Sequence, residues 1–266
     1  MTTKEFSDSF DTLLNSYANR AEFGNASSKA DVVLDEYEKS VLLTQAQDII
    51  VKSYFYNNLN PQGQGFDGSE RRQVDFSSLI KVANLTQVSD SADKVFDDRG
   101  ILYEMPKKTK DDVIVEGSTD VLFILNERLI VTVDGVKSSY VIVPLNYREY
   151  DREMSKAYSQ PLKKQAWRLF QNSTTGFDVQ SELIPIWNLA EDIKGDEPPT
   201  VIYRIRYVQR PDPIVLVDLP EGLTIDGFTE ETECSLNPVL HVDILNKAVE
   251  LALTTRGRIS SNQKDS

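Results

Sequence analysis

Three stretches of the chain place hydrophobic residues at the spacing of an amphipathic helix, and two of them lie near the N-terminus. In the first, apolar residues fall at i, i+4, i+7, i+8 and i+11: Phe6, Phe10, Leu13, Leu14 and Tyr17. A second stripe fits a helix over about residues 35–56. Thr2 with Glu5, and Asp35 with Glu38, have the spacing of a capping box, which satisfies free N–H groups at a helix N-terminus. The sequence therefore predicts two N-terminal helices.

The third helical stripe lies near the C-terminus and follows a cap signature. Asn237 is a candidate N-cap, and Pro238 suits the first helical position because its missing N–H would have no partner there. His241 and the apolar residues Ile244, Leu245, Ala248, Val249 and Ala252 follow at helical spacing. We expect this helix to dock on the two N-terminal helices.

Alternating residues between positions 201 and 210 predict a β-strand with one buried face. One face carries Val201, Tyr203, Ile205 and Tyr207, and the other carries Ile202, Arg204, Arg206, Val208 and Arg210. Pro211 and Pro213 interrupt the strand, because proline has no N–H to donate to a neighbouring strand. The apolar run Ile214–Val217 is predicted to form a short second strand within an extended, proline-broken arm.

The middle of the chain is rich in predicted strands. The runs Leu129–Val133 and Val136–Val143 flank Asp134-Gly135, a pair that favours a type I′ hairpin turn because both central residues need positive φ. Further strands are expected at residues 101–103, 121–125, 166–170 and 183–187. Asn146 with Glu149 predicts a short capped helix. Residues 72–88 leave helix and strand both open, and residues 107–112 are interpreted as a solvated excursion.

Together these patterns predict an α+β protein whose N-terminal and C-terminal helices pack together around a central β-rich, hairpin-like or sandwich-like domain. We expect four regions in the chain. They are a helical region with a flexible loop at 1–100, the β-rich domain at 101–235, the docking helix at 236–256 and a polar tail at 257–266.

The charge balance argues against tight binding of nucleic acid. Lys and Arg number 29 against 42 Asp and Glu, so the formal net charge is −13. Binding to phosphates depends mainly on Lys and Arg that displace counterions, although an acidic protein can stand beside DNA without holding it. The charge can equally serve only to keep the surface soluble.

Other counts exclude several classes of protein. No apolar run approaches the ~20 residues of a membrane helix, and no secretion signal is recognised, so we expect synthesis in a reducing cytoplasm and no membrane partner. Cys234 is the single cysteine, which excludes an intrachain disulfide and a cysteine-cluster metal site.

The candidate chemical motifs do not predict an enzyme. Gly63, Gly65 and Gly68 match the pattern G-x-G-x-x-G, but they follow a helix, whereas the dinucleotide fingerprint follows a strand and opens a helix. We interpret them as a loop that can reach a neighbouring subunit. His241 lacks the partners of a catalytic triad or zinc site, and the acidic run Asp90–Asp98 lacks the ligand pattern of a calcium loop. No catalytic, cofactor or metal residue is predicted.

Two interpretations of Arg204, Arg206 and Arg210 remain open. The arginines can form the solvent face of an edge strand, where charge prevents stray strand pairing. They can also form a rim that meets an acidic surface on a neighbouring subunit, because the arginine fork suits bidentate contacts with carboxylates.

Several stretches of the sequence together resemble the head-to-tail adaptor, or connector, ring proteins of crAss-like, short-tailed bacteriophages. The resemblance covers most of residues 35 to 255 and rests on six stretches: Asp35–Ser40, Leu43–Gln47, Arg72–Leu79, Lys163–Leu169, Ile205–Pro211 and Glu233–His241. It implies a non-enzymatic virion protein that forms a ring of about twelve copies. It also implies a place between portal and tail, contact with other ring or tail proteins, and DNA passing through the central channel.

On this resemblance we predict that subunit contacts are formed by the glycine loop, the arginine strand, the proline arm and the start of the C-terminal helix. The candidate interface residues are Gly63, Gly65, Gly68, Arg204, Arg206, Arg210, Pro211, Pro213, Pro238 and His241. The alternative is a tail-associated domain that binds or cleaves carbohydrate. A cleft lined by Trp167, Trp187 and paired carboxylates would favour that alternative, whereas buried tryptophans would favour the ring.

Overall fold

The computed structural model describes residues 1–21, 34–55, 74–88, 100–110, 113–156, 159–172, 179–185 and 199–262. The chain divides into two compact units. A helical unit combines Met1–Leu79 with Pro211–Ser266, and a sheet unit comprises Ile80–Arg210. The sheet unit is therefore an insertion between the two parts of the helical unit.

The described residues form four α-helices and nine β-strands. The helices are α1 (Thr3–Ala21), α2 (Glu36–Phe55), α3 (Tyr147–Met154) and α4 (His241–Asn262). The strands are β1 (Ile80–Leu85), β2 (Ile101–Glu104), β3 (Lys107–Lys110), β4 (Val113–Thr119), β5 (Val121–Val133), β6 (Val136–Pro144), β7 (Gln165–Asn172), β8 (Val179–Pro185) and β9 (Thr200–Gln209). Short 3-10 turns at Ser77–Leu79 and Pro238–Leu240 lead into β1 and α4.

Both predicted capping boxes at the N-terminal helices are confirmed. At α1 the Thr2 N–H donates to Glu5 Oε2 at 2.9 Å, and the Glu5 N–H donates to Thr2 Oγ1 at 3.3 Å. At α2 the Glu38 N–H donates to Asp35 Oδ1 at 2.7 Å. These bonds satisfy N–H groups that have no partner inside the helix, so the sequence alone locates both helix starts.

The helical unit is held together by α4, which packs against both α1 and α2. Each helix contributes a buried apolar stripe, including Phe6, Phe10 and Leu14 of α1, Leu43, Ala46 and Ile50 of α2, and Ile244, Leu245 and Ala248 of α4. The Asn237 side chain caps the 3-10 turn by accepting from the Val239 N–H at 3.1 Å. The predicted docking of the C-terminal helix on the N-terminal helices is confirmed, and α4 continues to Asn262, beyond the expected end of the helix at 256.

The main sheet of the second unit has seven strands in the order β1-β9-β5-β6-β7-β8-β2. Every neighbouring pair is antiparallel except β6 with β7. Just beyond β1, Gln87 forms a bridge with Tyr103 of β2, and the Val88 N–H donates to the Leu102 carbonyl at 2.9 Å. The two ends of the strand order thus meet, and a single curled sheet takes the place of two stacked sheets.

The curled sheet encloses one apolar core. Its buried residues come from seven strands and the residue after β2: Leu85, Tyr103, Met105, Leu129, Val131, Tyr140, Ile142, Ala166, Leu183, Tyr203, Ile205 and Tyr207. A smaller cluster of Tyr150, Trp167, Leu169 and Ile184 joins α3 to β7 and β8. Since a core residue of this kind is worth roughly 1.5–3 kcal/mol on burial, the first cluster is the main source of this unit's stability.

The turn at Asp134-Gly135 is confirmed: the two residues have φ of 47° and 77°, as a type I′ turn requires. The capping box of Asn146 and Glu149 at α3 is also confirmed. For residues 80–85 the sequence left helix and strand both open, and the structure shows a strand, β1. The separate runs at 121–125 and 129–133 belong to one strand, β5.

Two local predictions are wrong. Residues 107–110 are not an excursion but the strand β3, which pairs with β4. Residues 214–217 are not a strand, because only Val215 makes an isolated bridge, to Thr232, and side chains of α2 bind the backbone on either side.

The α+β fold class is confirmed. Among the described helices, none combines the length and apolar character needed to cross a membrane.

Candidate assembly surfaces

Three arginines lie side by side on the outer face of the curled sheet. On β9, Tyr203, Ile205 and Tyr207 point into the core, so Arg204 and Arg206 between them point outward and are exposed. The strand register places Arg128 of β5 directly opposite Arg204. We call Arg128, Arg204 and Arg206 the arginine row.

The position of β9 bears on one of the two interpretations of these arginines. β9 is not an edge strand, because β1 pairs with it on one side and β5 on the other. Charge is therefore not needed on β9 to prevent stray pairing, and the edge-strand interpretation is wrong. Contact of the arginines with an acidic surface on a neighbouring subunit stays a prediction.

Within the described residues, the charges of the arginine row are not neutralised by neighbouring carboxylates. Like charges directly opposite each other on neighbouring strands destabilise a sheet, and Arg128 with Arg204 is such a pair. Arg204 Nε donates to Asn84 Oδ1 at 2.8 Å, which orients the side chain without neutralising it. In the part of the chain that the structure describes, no carboxylate forms an ion pair with any of the three arginines.

The arginine row and the strands beside it, β1, β5, β6 and β9, carry one acidic side chain, and it points to the inside of the sheet. β1, β5, β6 and β9 contain five basic residues and one acidic residue, Glu127. Glu127 Oε2 lies 2.9 Å from Arg168 Nε and accepts from the Tyr203 hydroxyl at 2.6 Å. Burial, followed by the Glu127 charge, raises the pKa of Tyr203, so this hydroxyl keeps its proton. The outer face of the four strands is left positive.

Arg210 differs from Arg204 and Arg206 and does not extend the arginine row. It follows the end of β9 and is half-buried. Its backbone N–H donates to the Asp120 carbonyl at 2.9 Å, which fixes the chain where it leaves the sheet.

Pro211 and Pro213 lie in the extended arm, and both are buried within the helical unit. Side chains of α2 bind alternate residues of this arm. Gln47 Nε2 donates to the Asp212 carbonyl at 2.7 Å, the Ile214 N–H donates to Thr44 Oγ1 at 3.1 Å, and the Leu216 N–H donates to Ser40 Oγ at 3.0 Å. The arm therefore packs on the α2 helix of its own subunit.

The arm is followed by an acidic surface that motif searching missed. Residues 211–240 contain seven acidic residues and no Lys or Arg, and the acids between 218 and 233 are exposed: Asp218, Glu221, Asp226, Glu230, Glu231 and Glu233. We call residues 218–233 the acidic lobe. The run without a basic residue was the signal in the sequence that could have revealed it.

The acidic lobe is a folded element. Val215 bridges Thr232, and Ile225 pairs with Phe228 around a turn in which Asp226 and Gly227 have positive φ. Val215, Ile225 and Phe228 form a buried cluster that packs on Tyr37 and Val41 of α2. The carboxylates are therefore carried by a folded segment that is packed on α2.

His241 and Pro238 lie at the start of α4 in different surroundings. His241 is buried with 4% of its surface exposed, between the Leu236 carbonyl at 3.0 Å from Nε2 and the Met1 amine at 2.8 Å from Nδ1. Its ring packs on Phe6, and burial lowers its pKa, so the neutral imidazole is favoured. Pro238 is exposed.

One cavity of about 350 Å³ opens in the sheet unit. Its described walls are Met105, Thr119, Val121–Ile124, Arg168, Phe170 and Val179, and among these described residues there is no tryptophan or carboxylate. Trp167 is buried against Tyr150 with ring centroids 6.2 Å apart. The burial of Trp167 is the arrangement expected of a ring protein, in which this side chain does not line an open cleft.

Several predicted positions lie outside the described residues. They are Gly63, Gly65, Gly68, the acidic run Asp90–Asp98 and Trp187. Among the residues that are described, no group of three or more His, Cys, Asp or Glu side chains is placed to hold a metal ion.

Comparisons with known proteins give matches along nearly the whole chain. The family described as phage tail ring protein 3/4 matches residues 1–264. The chain is similar to ring protein 4/5 of Bacteroides phage crAss001, with 38% identity over 255 residues, 95% of this chain and 92% of that protein. It is also similar to ring protein 3 of the same phage, with 32% identity over 272 aligned residues, 99% of this chain and 100% of that protein.

Proposed function

The chain belongs to the phage tail ring protein 3/4 family, and on that premise we propose that its ring lies between portal and tail and surrounds the path of the DNA. As a ring protein it is a structural component of the virion. In this proposal about twelve copies close the ring, as a heterologous, head-to-tail interface allows. The protein is made in the host cytoplasm and acts without catalysis.

The observation that carries the proposal is the extent of the family match, which covers residues 1–264 and therefore both units of the chain. The same chain is also similar, over nearly its full length, to two different ring proteins of one phage. A phage that encodes two such proteins can stack rings built from related subunits. We therefore propose that a related ring protein is one axial neighbour of this ring.

The charge of the protein supports a path for DNA without a binding site for it. A net charge of −13 repels phosphates, and the screening length of about 8 Å at physiological salt confines that repulsion to the wall of the channel. DNA can then slide, whereas a basic wall would hold it. The arginine row is too small a basic patch to reverse this balance, and we place it in a contact between proteins.

Light scattering on the purified protein tests this function. The protein would be measured alone, with the portal, and with its nearest relative among the ring proteins encoded by the same genome. We expect a closed oligomer of about twelve copies in at least one of these samples, with a central channel visible by negative-stain electron microscopy. A 30.1 kDa monomer in every mixture, together with its absence from purified virions, would contradict the proposal.

A further inference from the structure

From the charges on the two units we infer that the arginine row of one subunit binds the acidic lobe of the next subunit in the ring. The inference rests on the proposed ring and identifies the surfaces that form its subunit contact. The arginine row belongs to the sheet unit and the acidic lobe to the helical unit. A contact between unlike surfaces is heterologous, so each subunit offers one of each and the contact can repeat around a ring.

The arginine row has the composition of a protein interface. Val82 lies opposite Arg206, and Val141 lies opposite Arg128, with 59% and 62% of their surfaces exposed. Exposed apolar side chains beside arginine are typical of interfaces between proteins, where arginine is enriched. Arg128 and Arg204 repel each other in the unassembled subunit. Carboxylates of a partner would offset this repulsion, so binding of an acidic surface stabilises the arginine row.

The acidic lobe supplies suitable carboxylates. Glu231 accepts from the Thr3 hydroxyl, and its N–H donates to Asp218 Oδ1 at 2.9 Å, so these two acids hold the lobe together. Among the described residues, the side chains of Glu221, Asp226, Glu230 and Glu233 make no hydrogen bond or ion pair. Carboxylates on a folded segment suit the arginine fork, which binds them in a bidentate manner.

Duplex DNA is the competing acidic partner, and the structure disfavours it. Phosphate binding needs many basic residues, and each phosphate contact adds to the salt dependence of binding. The arginine row offers three basic side chains in a chain with net charge −13. Its exposed valines match a protein surface and have no counterpart on a DNA backbone.

Charge reversal with rescue tests the contact. One variant carries Arg204→Glu and Arg206→Glu, and a second carries Glu230→Lys and Glu233→Lys, which leaves the structural Asp218 and Glu231 in place. Sedimentation velocity at low ionic strength would measure assembly over a range of concentrations. We expect each variant to need at least about tenfold more protein to assemble, because two repulsive contacts replace two attractive ones.

Rescue separates a direct contact from a general effect of charge. The quadruple variant, and an equimolar mixture of the two double variants, should both recover assembly, because each Glu then faces a Lys or each Arg faces its natural acid. Lys4→Glu with Lys163→Glu, both exposed, is the control with the same change of net charge as the Arg204→Glu, Arg206→Glu variant, and it should assemble like the wild type. Circular dichroism spectra of all variants would be compared with that of the wild type, so that loss of assembly can be distinguished from unfolding.

The outcomes distinguish this inference from the proposed function. If the wild type assembles and neither reversal weakens assembly, the contact is wrong while the ring stands. If the wild type and the mixture of variants stay monomeric at every concentration, the self-contact is overturned, and the ring is judged by the mixtures with portal and ring protein. If the wild type binds a short DNA duplex in fluorescence anisotropy and Arg204→Glu with Arg206→Glu abolishes that binding, DNA is the partner and the inference is overturned.

Discussion

Glu127 and Arg168 form a buried ion pair in the sheet unit, and loss of one partner should lower the stability of this unit strongly. The side chains are 10% and 8% exposed, and their atoms lie 2.9 Å apart. Glu127→Ala leaves the Arg168 charge buried without this partner, so we expect the free energy of unfolding to fall by about 3–5 kcal/mol. Urea unfolding followed by tryptophan fluorescence would measure it, because Trp167 adjoins Arg168 in β7.

Two controls show whether the buried charge is the cause. Glu127→Leu combined with Arg168→Met removes both charges and should cost less than Glu127→Ala, because no isolated charge remains. Lys156→Met breaks an exposed ion pair with Glu153 at 2.7 Å and should change stability little, because water screens that pair. Equal losses in all three variants would show that the charge pair has no special role.

Burial of Cys234 predicts an unreactive thiol. Burial raises the pKa of the thiol to about 11, and Sγ donates to Gln47 Oε1 at 3.2 Å. The thiolate is the reactive form, so at pH 8 the folded protein should react with a disulfide reagent about a hundredfold more slowly than the unfolded chain in urea. Because the folded pKa is the higher one, stability should also fall between about pH 9 and 11, where only the unfolded chain loses the proton. Equal reaction rates in the folded and unfolded protein would contradict the burial.

The arm and α2 depend on each other through side-chain bonds to the backbone. Thr44 Oγ1 accepts from the Ile214 N–H at 3.1 Å and donates to the Ile214 carbonyl at 3.3 Å. Thr44→Val keeps the shape and leaves both buried groups without this partner, so we expect a loss of about 1–3 kcal/mol in thermal or urea unfolding. Thr12→Val is the control, since that hydroxyl is exposed and bonds only within α1, to the Asp8 carbonyl. A loss no larger than that of the control would show that the arm does not need this bond.

The same arm shows where prediction from the sequence ends. The starts of α1, α2, α3 and α4 were predictable, because a capping residue and its partner are three positions or fewer apart. The run Ile214–Val217 has strand composition, yet it satisfies its backbone through Thr44 and Ser40, residues about 170 positions away in the chain. Nothing within the run itself indicates that partner.

The arrangement of the strands was also beyond the sequence pattern. The alternation in β9 predicted which face is buried, but it could not show that β1 and β5 flank the strand. That pairing brings Arg128 beside Arg204, a neighbour 76 residues away whose charge changes the meaning of the predicted arginines. The candidate surface was thus partly predictable. Arg204 and Arg206 came from periodicity, and the acidic run 211–240 was visible in the composition, whereas the position of Arg128 beside Arg204 needed the fold.

The insertion of one unit within the other makes a final prediction about how the chain can be divided. Ile80 at the start of the sheet unit pairs with Val208 near its end, so the two ends lie about 5 Å apart, as paired strands require. A fragment of residues 80–210 keeps all seven strands of the curled sheet and its core. We expect it to fold alone and to unfold cooperatively in urea, with a β-type circular dichroism spectrum.

A fragment with the boundaries expected from the sequence, residues 101–235, is the matched control. It lacks β1, which pairs with β9, and it carries residues 211–235 away from α2, which binds their backbone. We expect this fragment to unfold at lower urea concentration than 80–210, or not to fold, because an exposed edge and unpaired arm groups replace native hydrogen bonds. If 101–235 is instead the more stable of the two, the strand partner and the arm are less important than the boundary at 79/80 implies, and the sheet unit is not an independent insertion.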